Sequence, residues 1–258
     1  MDYGVCTAAS AAAPYAAAGF DFIETTVGTA LKPRENEDAF HEERRRMEAA
    51  PLPCKAANCF LPGDLKVTGP DVDPGALRAY VTVVCRRAAL CGIETIVFGS
   101  GGARQVPDGF DRDRAWAQLV AFGQMLGPIA EAQGVMIAVE PLNSRDCNIL
   151  TTVGEAARYV GDVGHPRVRL LVDGYHWSMD NDSADDVTAA APLLRHIHIA
   201  TYAHRLAPGA EPCDFSAFFA ALRRGGYDGR VSIEGKWEDP AAQAGKALAE
   251  LKRLTEGV

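Results

Sequence analysis

The sequence has no apolar run that approaches the roughly 18 continuous residues a membrane helix requires. Its alanine-rich N-terminus also lacks the basic flank of a signal peptide, because Asp2 stands there and Pro14 interrupts the run. The seven cysteines are scattered and form no Cys-x-x-Cys motif, a pattern typical of a reducing compartment. We therefore expect a soluble cytoplasmic protein that has no membrane partner.

Positive charge is also scarce. The chain carries 26 basic and 34 acidic residues, for a net charge of -8, and only six histidines. A protein that binds a nucleic-acid backbone needs a strongly basic face, so this balance argues against a nucleic-acid partner. It leaves open a small anionic substrate held by one or two local arginines.

No low-complexity linker divides the 258 residues, and 48% of them are hydrophobic. Short apolar runs alternate with longer helical patterns. We predict eight strands, at 3–7, 22–25, 55–59, 95–99, 135–140, 169–173, 196–199 and 231–234. We predict eight helices, at 10–18, 37–49, 74–90, 111–133, 153–160, 185–194, 215–224 and 241–255.

Eight strand–helix units in about 250 residues predict a (β/α)₈ TIM barrel that forms a single domain over residues 1–258. A doubly wound sheet is the main rival, although it usually has fewer units. Asp73-Pro74 is typical of a helix start. Gly92, Gly134 and Gly225 stand where helices end, and we expect a left-handed backbone at each of them.

Four consecutive strands in the second half end in, or contain near their end, an ionisable residue: Glu140, Asp173, His198 and Glu234. Catalytic groups of a barrel lie at this end of the strands. Taken singly, an acid here could cap the next helix and a strand histidine could be structural. Three carboxylates buried together, however, cost too much free energy unless a cation neutralises them.

Three carboxylates and one imidazole suit a hard to borderline divalent ion with open positions for water or substrate. Manganese is the expected ion, with magnesium or cobalt as alternatives. A structural zinc site would use thiolates, and the sequence offers no cysteine cluster. The pattern therefore indicates a catalytic metal centre.

Several motifs resemble those of the xylose-isomerase-like TIM-barrel superfamily of sugar isomerases and epimerases. Within it, the chain is most similar in motif to ketose 3-epimerases and hydroxypyruvate isomerase. The first half of the chain matches the family mainly in the spacing of its strand and helix patterns, as at residues 19–24. The motifs of the second half are Glu140-Pro141-Leu142-Asn143, Asp173-Gly174-Tyr175-His176, His196-Ile197-His198, Arg205 with Pro208-Gly209, Gly226-Tyr227-Asp228-Gly229 and Ser232-Ile233-Glu234.

The resemblance implies a role for each matching position. The metal ligands are Glu140, Asp173, His198 and Glu234. Glu140 and Glu234 are also the acid/base pair of the reaction. Substrate contacts are expected from His176, Arg205 and Asn143, with Asp146 near the position of a further acidic residue in the epimerases.

Two other side chains are candidate substrate contacts. Arg104 closes a glycine-rich loop at 99–104, which lacks the features of a phosphate-binding loop and reads as a flexible segment at the barrel mouth. Trp177 could form an apolar wall against a sugar face, and core packing is an equal alternative. Glu24 ends the second strand, where it could reach the substrate or form a structural salt bridge.

These features predict a metal-dependent isomerase or epimerase of carbohydrate metabolism. It would move a proton alpha to the carbonyl of a keto-sugar or related polyol through a metal-stabilised enediolate. The same intermediate could expel a beta substituent, so a lyase or dehydratase acting on a keto-inositol or 3-keto-glycoside stays open. An abasic-site endonuclease needs more histidines and a DNA-binding face, and a non-catalytic barrel would not need the metal quartet. Relatives suggest a homo-oligomer, a dimer or tetramer.

Overall fold

Eight parallel strands close into a barrel in chain order in the computed structural model, which describes residues 1–256. Each strand pairs with its neighbours in sequence, and β1 pairs with β8 to complete the ring. This confirms the predicted (β/α)₈ fold. The strands are β1 (Asp2–Cys6), β2 (Phe22–Thr26), β3 (Cys54–Asn58), β4 (Thr95–Phe98), β5 (Met136–Val139), β6 (Val168–Asp173), β7 (Leu194–Ile199) and β8 (Arg230–Ile233).

Eleven α-helices lie between and after the strands within residues 1–256. They are α1 (Ala13–Ala18), α2 (Val27–Ala30), α3 (Glu37–Glu48), α4 (Pro74–Leu90), α5 (Gly101–Arg104), α6 (Arg112–Ala132), α7 (Val153–Val163), α8 (Gly174–Met179), α9 (Ala184–Ala190), α10 (Ser216–Arg224) and α11 (Pro240–Thr255). The eight predicted helices are present, and the short helices α2, α5 and α8 are additions that follow β2, β4 and β6. Across the described part of the chain, every helix is too short or too polar to span a lipid bilayer.

Helix ends follow the expected chemistry with two exceptions. Asp73 caps α4 by accepting two backbone N–H groups, and Gly92 and Gly134 adopt the left-handed backbone. The prediction for Gly225 was wrong, because its φ is -80° and Gly226 takes the left-handed position instead. The predicted helix 185–194 ends at Ala190, and a 3-10 turn over Ala191–Leu193 replaces its end.

Alternation along the strands sorts side chains between the outer core and the barrel interior. The main core packs helices against the outer face of the sheet. Val97, Ala138 and Leu171 form a separate apolar cluster. In the next inward position along their strands, two residues further, stand Gly99, Glu140 and Asp173. The apolar cluster therefore forms the floor beneath the acidic groups at the carboxyl ends of the strands.

A network of ion pairs closes the opposite end of the barrel. Glu94 accepts from Lys55 at 2.8 Å and from Arg230 at 2.6 Å, and Arg195 lies 3.6 Å away. These groups come from β3, β7, β8 and the turn before β4, so the network ties strands across the ring. The two ends of the barrel thus differ in charge. Basic side chains surround Glu94 at the amino ends of the strands, whereas acidic side chains lie at the carboxyl ends.

Candidate metal centre

The four predicted ligands come together at the carboxyl end of the barrel. Glu140 and Glu234 directly follow β5 and β8, Asp173 ends β6, and His198 is the last inward residue of β7. One ligand atom from each lies within 4.8 Å of those of the other three. Glu140, Asp173 and His198 are buried, whereas the side chain of Glu234 is 21% exposed. The arrangement is a cup that opens toward solvent beside Glu234.

Glu24 fixes the orientation of His198. It is fully buried in the middle of β2, where its Oε1 accepts from Nε2 of His198 at 2.9 Å. Its Oε2 accepts from Nε2 of His196 at 2.8 Å. Because Nε2–H of His198 is held by Glu24, Nδ1 faces the cup, 3.2 Å from Glu140 and 3.5 Å from Glu234. A carboxylate behind an imidazole is the usual support of a metal-ligating histidine.

Asp173 and Glu234 differ in how tightly they hold a proton. Burial raises the pKa of Asp173 to about 6. The nearby charges of Glu234 and Glu140 also raise this pKa, whereas His176 lowers it. Burial would also raise the pKa of Glu234, but His198 and Arg205 outweigh it and lower that pKa to about 2. Burial likewise acts to lower the pKa of His198, but Glu24 and Glu234 outweigh it and raise the pKa well above the ordinary value.

Glu234 is clamped from two sides. Asn58, at the end of β3, donates its Nδ2 to Oε1 at 3.1 Å. Arg205 donates to Oε2 of Glu234 and to Oδ2 of Asp173, the latter at 3.3 Å. The guanidinium of Arg205 also lies over the ring of Tyr175, 4.8 Å from its centroid. The predicted substrate arginine thus stands at the mouth of the cup between two candidate ligands.

His176 forms the neighbouring wall with two other predicted substrate contacts. The backbone N–H and the side-chain Nδ2 of Asn143 donate to Nδ1 of His176 at 3.3 and 2.7 Å. Nδ2 of Asn143 also donates to Asp146 at 2.8 Å. Since Nδ1 accepts these bonds, the proton of a neutral His176 lies on Nε2, which is 3.7 Å from Asp173.

A cavity of about 340 Å³ lies above the cup and is lined by Glu140, Glu234, His176, Arg205 and Asp146 among others. This volume is within the range of small-molecule sites. Gly99 makes room for Glu140, because a Cβ at position 99 would lie 2.3 Å from its Oε2. Residues 99–102, which include the first two residues of α5, also line the cavity.

The structure does not place Arg104 in this cavity. Its side chain is fully buried and donates to the carbonyl oxygens of Phe98, Glu140 and Leu150 at 3.0, 2.8 and 3.4 Å. The expectation of a substrate contact therefore does not fit its position. Arg104 instead ties together the ends of β4 and β5, and through the carbonyl of residue 140 it positions a candidate ligand.

We expect Arg104→Met to lower the free energy of unfolding by about 2–4 kcal/mol, because buried carbonyl groups lose their donors. Denaturant unfolding measures this effect. Arg145→Met, which changes an exposed arginine, is the matched control and should leave stability nearly unchanged. Unaltered stability of Arg104→Met would contradict the positioning role.

Trp177 is also absent from the cavity lining. Its ring packs 5.5 Å from Phe218 and 6.4 Å from Tyr202, measured between centroids. Of the two alternatives for Trp177, this placement fits core packing and not a wall against the substrate. His204, another histidine near the mouth, is largely exposed and pairs with Glu211 at 2.6 Å.

The donor set fits a divalent cation. Three carboxylates and the Nδ1 lone pair of a deprotonated His198 converge at one place, and the nearest fixed positive charge is the side chain of Arg205. Mn²⁺, Mg²⁺ and Co²⁺ accept such oxygen-rich sets. Glu24, His196 and Asn58 support these donors. Asn58 carried no signal in the sequence, and the pairing of Glu24 with His196 could not be foreseen, since these contacts join residues 176 and 172 positions apart.

Metal binding should weaken as the pH falls. Asp173 has a raised pKa of about 6, so below that pH an incoming ion must displace its proton as well as the proton of His198. We expect the apparent affinity for Mn²⁺ to fall at least about tenfold for each pH unit below 6. Calorimetric titration at pH 5, 6, 7 and 8 checks this. An affinity that is constant from pH 5 to 7 would contradict it.

Comparison with known proteins connects this geometry to a family. Residues 12–254 match the family model described as "Xylose isomerase-like TIM barrel". An L-ribulose 3-epimerase of Methylomonas sp. (strain DH-1) is 27% identical over 98% of this chain and 93% of its own length. A 3-dehydro-D-guloside 4-epimerase of Escherichia coli (strain K12) is 34% identical over 132 residues, and the match spans only half of each protein.

A solved structure shares the whole fold. The D-psicose 3-epimerase of Clostridium cellulolyticum H10, crystallised with D-tagatose, superposes with a TM-score of 0.85 over 99% of both chains at 19% identity. At that identity the likeness shows the fold alone.

Proposed function

Because the chain belongs to the xylose isomerase-like TIM barrel family, we propose that it is a divalent-metal-dependent epimerase or isomerase of a keto-sugar or related polyol. The observation that carries the proposal is the convergence of Glu140, Asp173, His198 and Glu234 beneath a small open cavity. Relatives whose names describe 3-epimerases of sugars support the same reaction class.

The ion would be held by Glu140, Asp173, His198 and Glu234, with Mn²⁺ as the expected metal and Mg²⁺ or Co²⁺ as alternatives. When bound, it would supply the positive charge that stabilises the anion formed when a proton leaves the carbon next to a carbonyl. Glu24 keeps His198 ready for this role because it retains the Nε2 proton and leaves Nδ1 free.

Proton transfer is assigned to Glu140 and Glu234. They follow β5 and β8, so they approach the cup from different sides of the ring. One carboxylate takes the proton alpha to the carbonyl, and the other returns a proton to the opposite face, which inverts that carbon. Return to the adjacent carbon would give isomerisation instead. The clamp of Asn58 and Arg205 fixes the direction in which Glu234 faces the substrate.

Substrate orientation is assigned to the polar wall of the cavity. Nε2–H of His176 and the guanidinium of Arg205 are donors for sugar oxygens, and the half-exposed carboxylate of Asp146 is an acceptor. Asn143 acts by holding His176 and Asp146, and its side chain is buried behind them. Arg104 and Trp177 have no part in this assignment.

A second candidate keeps the chemistry and changes the substrate to a 3-keto-glycoside. The partial match to a 3-dehydro-D-guloside 4-epimerase favours it. On such a substrate, loss of a beta substituent after proton removal would give the lyase outcome.

The test is incubation of the Mn²⁺-loaded protein with a panel of ketohexoses, ketopentoses and 3-keto-glycosides in deuterium oxide, followed by NMR. Epimerisation predicts solvent deuterium at the carbon next to the carbonyl, with an intact carbon skeleton. A product that has lost water, or a 3-keto-glycoside that has lost its aglycone, indicates the lyase. Absence of exchange with every member of the panel would refute the proposal.

A further inference from the structure

A cysteine thiol also reaches the candidate metal centre. Cys6 is the last residue of β1 and stands in register with Glu24 of β2, so both side chains point into the barrel. The Sγ of Cys6, a ring nitrogen of His198 and a carboxylate oxygen of Glu234 all lie within 4.8 Å of one another. This second group of three shares two members with the oxygen-rich quartet and replaces the other two with a thiol.

The two groups suit different ions. Mn²⁺ and Mg²⁺ prefer oxygen ligands, whereas Zn²⁺ binds thiolate and imidazole well and commonly takes three protein ligands in an open site. Ligand atoms around tetrahedral zinc are about 3.5 Å apart, as follows from its bond lengths. The three ligand atoms of Cys6, His198 and Glu234 lie within 4.8 Å of one another, so their spacing exceeds that distance by little more than about 1 Å.

We propose that Cys6, His198 and Glu234 form a second, thiophilic metal site that binds Zn²⁺ in competition with the ion of the quartet. The competition follows from the shared ligands, because His198 and Glu234 serve one ion at a time. On binding, a Zn–S bond forms while the thiol proton leaves to solvent, and no oxidation state changes. The proposed Zn²⁺ binding rests on geometry alone. Bound Zn²⁺ would also displace the catalytic ion and inhibit the enzyme, and only this consequence rests on the proposed function.

Spectroscopy with Co²⁺ tests for the sulfur ligand directly. A thiolate bound to Co²⁺ gives a charge-transfer absorption in the near ultraviolet, which oxygen and nitrogen ligands do not give. We expect this band in the unmodified protein and its loss in Cys6→Ser. Cys59→Ser is the matched control, since Cys59 is an exposed thiol in the lining of the cavity above the quartet and lies outside the group of three.

Affinity measurements separate the two sites. Cys6→Ser should bind Zn²⁺ at least about tenfold more weakly, measured by competition with a chromophoric chelator, and should bind Mn²⁺ within about threefold of the unmodified protein. Glu140→Gln should have the opposite effect: its affinity for Mn²⁺ should fall at least about tenfold, while its affinity for Zn²⁺ should change less than about threefold.

Absence of the charge-transfer band in the unmodified protein would overturn the proposal, and this result needs no variant to fold. Equal Zn²⁺ affinity in Cys6→Ser and the unmodified protein would overturn it too, as would loss of the band in Cys59→Ser instead. If Cys6→Ser fails to fold, Cys6→Ala replaces it. A protein that shows the band and the Zn²⁺ dependence on Cys6 but exchanges no sugar proton would refute the proposed function and leave this site standing.

Discussion

Replacement of Glu234 by glutamine is expected to lower kcat for epimerisation by about 10²–10⁴-fold, because an amide cannot take or return the proton. Glu140→Gln should have an effect of similar size. Steady-state kinetics at saturating Mn²⁺ measure both, with metal content determined on the same samples. That determination separates loss of the acid/base group from loss of the ion.

Isotope exchange in the same variants shows which carboxylate removes the proton from which epimer. If one carboxylate serves each face, Glu140→Gln should still exchange the proton of one epimer with solvent deuterium, and Glu234→Gln that of the other. Glu238→Gln is the matched control, because it removes an exposed carboxylate four residues after Glu234. Activity near that of the unmodified protein in Glu140→Gln and Glu234→Gln would show that neither group transfers the proton.

Glu24→Gln should weaken Mn²⁺ binding by about 10–100-fold, although Glu24 is not itself one of the four proposed ligands. The fully buried carboxylate of Glu24 accepts from both His196 and His198. Removal of one partner of a buried ionic group also costs stability, and we expect a loss of about 3 kcal/mol at neutral pH. Calorimetric titration and thermal unfolding of the metal-free protein measure the two effects.

The stability effect of Glu24→Gln should depend on pH in a defined direction. Burial acts to raise the pKa of Glu24, but His198 and His196 outweigh it and lower the pKa far below the ordinary value. A carboxyl with a lowered pKa stabilises the fold above its unfolded pKa of about 4.3, and this contribution is lost as the pH falls further. The difference between the two proteins should therefore shrink below pH 4.

Glu131→Gln is the matched control for Glu24→Gln, since Glu131 is an exposed acid 3.7 Å from His165. It should change neither stability nor metal affinity appreciably. Equal Mn²⁺ affinity in Glu24→Gln and the unmodified protein would mean that His198 does not depend on Glu24 for its orientation.

The candidate ligands could be located from the sequence because the fold brings strand ends together. Once eight parallel strands are recognised, the last inward residues of β5 to β8 must share one rim, whatever their separation in the chain. Glu140, Asp173, His198 and Glu234 occupy such positions. Their convergence within 4.8 Å needed only the correct fold and the correct alternation.

The side chains around the ligands were beyond the reach of the sequence, because local pattern does not specify the direction of a side chain that leaves a strand end or loop. Arg104 belongs to the glycine-rich loop and could face the cavity or the protein, and its bonds to three carbonyl groups show that it faces the protein. From the sequence, Glu24 could be recognised only as an acid near the end of the second predicted strand, with a substrate contact and a structural salt bridge as alternatives. Its pairing with His196 depends on the register between distant strands.

The position of the proposed ligands on four consecutive strands divides the barrel into unequal halves. β5 to β8 contribute the four candidate ligands. β1 to β4 and their loops contribute Glu24 and Asn58, which hold two of those ligands, Gly99, which makes room for Glu140, and Cys6, the proposed thiol ligand. Exchange of the first half with that of a relative would thus retain the proposed ligands and change the groups around them. A half-barrel chimera joined after β4 would therefore test whether the first half sets metal preference while the proposed ligands and substrate contacts of the second half stay unchanged.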